Sequence, residues 1–160
     1  MATFKGRNGI EWRVELDAPT IEEIKAEHGV NLVNLENDPL GPLRHDPMLL
    51  VTVISALCRE QIDAKSLSPK EFAKQLPAPP DPMLDALRDA VISFFPSGRS
   101  SHVQEVLEKF GQMSEKTDQL ITAKMDQVLQ NPKVIATLGT KADEAINKAI
   151  ESLLARNVGT

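Results

Sequence analysis

The stretch from Asp46 to Cys58, Asp-Pro-Met-Leu-Leu-Val-Thr-Val-Ile-Ser-Ala-Leu-Cys, constrains this chain more than any other. Asp46 is placed to cap a helix, and Pro47 falls at the first helical position, where a missing N–H costs nothing. The run that follows is too short to cross a bilayer. A helix over residues 46–64 that is apolar on nearly every side has to be wrapped by other elements, so it is expected at the centre of a domain. The wrapping is poor in rings, because the 160 residues include five Phe, one Trp and no Tyr. A core filled by Leu, Ile, Val, Ala and Met favours helix-on-helix packing over a β-sandwich. The expected fold is mainly α: an N-terminal β-hairpin, a compact helical domain and two C-terminal amphipathic helices.

Residues 2–17 read as the hairpin. Thr3 and Phe4 lead into an Arg7-Asn8-Gly9 turn, and Ile10, Trp12, Val14 and Leu16 then alternate with Glu11, Arg13 and Glu15. A two-stranded ribbon is marginal alone, so this apolar face should lie on helices or join another sheet. Trp12 is expected to seal the hairpin to the helices, with an interface anchor as its other use. Pro19 and Thr20 start a helix with Glu22 and Glu23 near its N-terminus, and Gly29 ends it. One helical turn is expected between Asn31 and Asn37, before the Asp38-Pro39 and Gly41-Pro42 breakers. Ser68-Pro69-Lys70-Glu71 has the form of a capping box opening a helix through Leu76. After the proline-rich residues 77–82, a helix to Phe95 should place Met83, Leu84, Leu87, Val91 and Phe94 on one face, leaving Phe95 over.

From Ser100 to Gln130 apolar residues recur with a helical period, and a last amphipathic helix is expected from Lys141 to Arg156. Gly111 is a candidate kink in the first of these. The chain therefore divides into residues 1–98, hairpin plus helical core, and residues 99–160, long amphipathic helices. The two helices form a helical hairpin, serve as an arm for a protein partner, or simply pack on the domain. For a partner-binding arm the candidate contacts are Val103, Leu107, Phe110, Leu120, Ile121, Ile146, Ile150 and Leu153.

A net charge of −5 and a pI near 5.2 oppose the basic footprint of a nucleic-acid binder. Cys58 is the lone cysteine and sits in the apolar run, which fits a buried core thiol. His28, His45 and His102 lack the spacing of a zinc site, and Glu36-Asn37-Asp38-Pro39 lacks the alternating ligands of a calcium loop. Ser100 and Ser101 precede His102 directly, and neighbours on a helix do not face each other. No phosphate-cradling loop, nucleophile elbow or dinucleotide fingerprint occurs, so neither an enzyme nor a cofactor is expected. With no apolar leader and no spanning segment, the expected compartment is the cytoplasm.

Several strings occur in an order that resembles the tail assembly chaperones of tailed bacteriophages and prophages. These are Phe4-Lys5-Gly6-Arg7-Asn8-Gly9-Ile10-Glu11-Trp12, then Thr20-Ile21-Glu22-Glu23-Ile24-Lys25 leading into Gly29-Val30-Asn31-Leu32. Next come Ala56-Leu57-Cys58-Arg59-Glu60-Gln61, Leu67-Ser68-Pro69-Lys70-Glu71-Phe72, and the close Ala90-Val91-Ile92-Ser93-Phe94-Phe95-Pro96. The resemblance covers roughly residues 3–110; residues 116–160 lie outside it. It implies a protein that binds the long, aggregation-prone tape measure protein and keeps it soluble while the tail tube polymerises. A structural tail or neck component that works by homo-oligomerisation is the alternative, with the hairpin joining a neighbour's sheet.

Overall fold

In a computed structural model of the chain, residues 2–157 are described, together with all their side chains except those of Val134 and residues 153–157. The architecture is mainly α behind a short N-terminal hairpin. It divides into two compact units, Met1–Met113 and Ser114–Thr160.

Strands β1 (Ala2–Lys5) and β2 (Glu11–Val14) pair antiparallel, with Phe4 opposite Trp12 and Ala2 opposite Val14. The turn closes through the Gly9 N–H on the Gly6 carbonyl (3.0 Å) and the Gly6 N–H on the Ile10 carbonyl (2.8 Å), with Gly9 at a φ of 77°. That left-handed conformation is what Asn-Gly supplies in a hairpin turn. The four residues of the inner face, Ala2, Phe4, Trp12 and Val14, are all buried.

Helix α1 (Ala18–His28) is capped by Asp17, whose carboxylate accepts the Thr20 N–H at 2.7 Å, and is closed by Gly29. Asp17, rather than the glutamates farther along, answers the free N–H groups of its first turn. Residues 31–40 do not form the expected helical turn. Asn31, Asn34 and Asp38 instead each accept the N–H two residues ahead, and these side-chain turns compete with helix. A short α2 (Gly41–His45) follows.

Helix α3 (Pro47–Leu57) opens on Asp46, which accepts both the Met48 and Leu49 N–H groups. Two features depart from the sequence reading. The helix breaks at Cys58 (φ −99°, ψ 8°), and α4 (Arg59–Ala64) restarts as a separate element. Its first turn also keeps an open side, with Met48 72% exposed, while Leu50, Val53, Ile54 and Leu57 face the core. Helix α5 (Pro69–Gln75) carries the complete capping box between Ser68 and Glu71. It brings Phe72 edge-on to Trp12, with ring centroids 4.7 Å apart.

Helix α6 (Asp81–Phe94) lies against β1 and buries Met83, Ala86, Leu87, Ala90 and Val91. The expected roles of its last two rings are reversed: Phe94 is exposed, whereas Phe95, just past the helix end, packs against the core. Extended backbone at Phe95 (ψ 148°) turns the chain and swings its ring to the other side. Each large side chain sealed in this core contributes about 1.5–3 kcal/mol.

Helix α7 (Ser97–Leu129) runs through Gly111 as one helix and crosses from the first unit into the second. Helix α8 (Pro132–Asn157) begins well before the expected Lys141. Asn131 starts it by accepting the Lys133 N–H, and Pro132 takes the first helical position. The boundary between units falls at Met113 rather than at Gly98, because the first turns of α7 belong to the core.

Candidate interaction surface

Three clefts of about 290–390 Å³ are found in the first unit. One lies between Ala2, Arg88 and Gln104; a second is floored by Val14 and Phe94. The third runs beside the outer edge of β2, where Arg13, Asp17, Arg59 and Gln61 meet. There Arg59 binds Glu23 through two hydrogen bonds of 2.7 and 3.1 Å, and this contact holds the Glu23 carboxyl below its ordinary range. No group of three metal-ligating side chains occurs among the described residues. His28 is half-buried, and His45 and His102 are exposed. Burial pushes the Cys58 thiol up to about 12, and its Sγ donates to the Arg13 carbonyl at 3.5 Å, as suits a core thiol.

The edge of β2 is already occupied. The Gln61 side-chain amide accepts the Arg13 N–H at 3.0 Å and donates to the Arg13 carbonyl at 2.7 Å, the pair of bonds an added strand would make. Trp12 is wholly buried, so it is a core ring and not an exposed anchor. Its Nε1 and the Gln75 Oε1 are both buried without a hydrogen-bond partner. Gly6 shares this crowded corner: a Cβ there would lie 2.6 Å from the Gln75 carbonyl oxygen and 3.2 Å from the Trp12 Nε1.

The eight candidate contacts on α7 and α8 fall into different environments. Val103 and Leu107 are each 1% exposed and belong to the core cluster, so they are not free surface. Their helical period is that of a partner stripe, but the layer beneath them is the first unit's own interior. Phe110 is half-buried. Leu120, Ile121, Ile146 and Ile150 are open, and the side chain of Leu153 lies outside those described.

The open surface extends well beyond those four. Nine large apolar residues between Leu120 and Ile150 are each 49–63% exposed, among them Met125, Val128, Leu129, Ile135 and Leu138, which the candidate set missed. On α8 the spacing Ile135, Leu138, Ala142, Ala145, Ala149 follows the alternating three-and-four step of a coiled-coil seam. Lys141, Glu144, Lys148 and Glu151 alternate in sign along one flank of this seam. Charge divides the chain in the same place. Residues 114–160 hold six acids and six bases, whereas residues 1–113 hold 17 acids and 12 bases and so carry the whole net charge of −5. A neutral helical segment with an apolar stripe can bury that stripe against another amphipathic helix. Net charge of the size the first unit carries favours dispersion of whatever it is attached to.

The chain matches no family model, no curated protein and no solved structure. No helix among the described residues is long and apolar enough to cross a membrane.

Proposed function

We propose that the protein is a tail assembly chaperone of a phage or prophage. In this reading it works in the host cytoplasm, covering apolar stripes of the tape measure protein while the tail tube polymerises. The observation that carries it is the uncovered apolar stripe of residues 120–150, attached to an acidic unit whose own core is complete without it. A long coiled-coil substrate exposes stripes of the same kind, and helix-on-stripe packing hides both from water. The resemblance of residues 3–110 to that family is what points to the tape measure protein as the partner. The mode of binding comes from the residues outside that resemblance.

Co-expression with a phage tape measure protein is the test. The intact chain should raise the soluble fraction of that protein and be recovered with it. A variant carrying Leu120→Glu and Ile146→Glu should recover much less while keeping its fold, because both side chains are exposed. Equal recovery by both would remove the stripe from the mechanism.

Gln61 weighs against one form of the alternative, a structural tail or neck component built by adding β2 to a neighbour's sheet, since it already takes the Arg13 N–H and carbonyl on that edge. Detection of the chain in purified mature particles would reinstate that alternative.

A further inference from the structure

We propose that, when no other protein covers it, the chain pairs with a second copy of itself, stripe to stripe, through α8 and the part of α7 beyond Met113. This does not rest on the phage reading and holds whatever the eventual partner is.

Four observations commit the stripe to a second copy. First, α7 and α8 are separated by Gln130 and Asn131 alone, with Pro132 fixing the start of α8. Across this short joint the large apolar side chains from Leu120 to Ile150 whose exposure is described stay open rather than covering each other. An identical chain brings the same two stripes and can cover both. Second, the area is sufficient. Nine side chains of this kind, at roughly 60–100 Å² each, remove on the order of 500–900 Å² per copy. A standard interface needs about 800 Å² per partner.

Third, the charge permits it. Residues 114–160 sum to zero, so two copies meet there without net repulsion, whereas the first unit, at −5, opposes its twin. Fourth, the Ile135 to Ala149 spacing is that of a coiled-coil seam, and its alanines let two helix axes approach closely. On the outer edge of β2, one competing self-association surface, Gln61 already pairs the Arg13 N–H and carbonyl.

Mass in solution tests this with the full chain, by sedimentation velocity from about 1 μM to about 200 μM, the range in which a dimer of micromolar affinity forms. The expected result is a shift from 17.6 kDa to twice that mass as concentration rises. The Ile121→Glu, Ile146→Glu double variant should stay at 17.6 kDa throughout, with the emission of buried Trp12 unchanged. Ile121→Gln with Ile146→Gln repeats the test without added charge. Met48→Glu, on an exposed apolar residue of the first unit, should dimerise like the parent. A parent chain that stays monomeric, a dimer that survives both double variants, or assembly beyond two copies would each overturn the proposal. A chain that dimerises but captures no tape measure protein would leave this inference standing and remove the proposed function. A monomer that captures it would do the reverse.

Discussion

Leu107 and Leu120 lie on one continuous helix, yet the first is 1% exposed and the second 63%. The same contrast separates the two units. In Met1–Met113, hairpin and helices enclose a core that includes Trp12, Phe72, Leu50 and Leu87. Beyond it, every described side chain from residue 115 to residue 152 is exposed. Helical periodicity is the same in both places, so amphipathicity by itself does not say whether a stripe is core or surface. What decides is whether other elements of the chain supply the opposing layer.

The largest expected effects come from exchanging equivalent side chains across that boundary. Leu107→Ala should destabilise the fold by about 2–5 kcal/mol, the range for a buried leucine, whereas Leu120→Ala should stay within about 0.5 kcal/mol. Chemical denaturation of the two variants at a concentration too low for pairing reads both. Similar losses for the two would break the distinction between the units.

Gly6→Ala comes next. Its Cβ would meet backbone at the Gln75 carbonyl, which cannot swing aside as a side chain can, and a loss of about 1–3 kcal/mol is expected. Gly139→Ala, on α8 with open space around it, should instead be neutral or slightly stabilising, by up to about 1 kcal/mol. Removing the cap of α3 with Asp46→Ala should cost about 1 kcal/mol, seen as a lower denaturation midpoint.

Smaller effects follow from titration in the first unit. Hydrogen bonds from Ser68 hold the Glu71 carboxyl below its ordinary range, and Arg59 does the same for Glu23. A carboxyl depressed in the folded state stabilises above its unfolded pKa, about 4.3 for Glu, and that contribution fades as pH falls through the lower folded value. Stability should therefore decline on the acid side of about pH 4. Glu71→Gln should flatten the decline, measured as denaturation midpoint against pH. Least perturbing is thiol labelling. With Cys58 buried and its thiol pushed up to about 12, alkylation at neutral pH should proceed only as fast as the first unit opens.

Much of the first unit was legible because its signals are local. Asp46 before Pro47, the Ser68 box with Glu71, Gly29 after α1 and the Asn8-Gly9 turn act within a few residues, and each is where it was expected. The misread features depend on neighbours distant in sequence or on competing side chains. The break at Cys58 falls inside an unbroken apolar run, and the Asx turns at Asn31 and Asn34 outcompete a helical turn. The exchange of Phe94 for Phe95 follows from a change of backbone direction after α6. For the candidate surface, period identified the helices but could not tell Val103 from Ile121, since the layer that buries Val103 comes from elsewhere in the chain. The early start of α8 was readable in Asn131-Pro132, which can begin a helix as well as interrupt one.

Amide hydrogen exchange tests the central claim most directly, because it reads both units in one experiment. In the dilute chain alone, amides of α3 and α6 should exchange slowly, and those of α8 and of α7 beyond Met113 fast. Adding the tape measure protein should slow the second group and leave the first unchanged. Slow exchange across α8 in the dilute chain, or no protection there on adding that protein, would contradict the account.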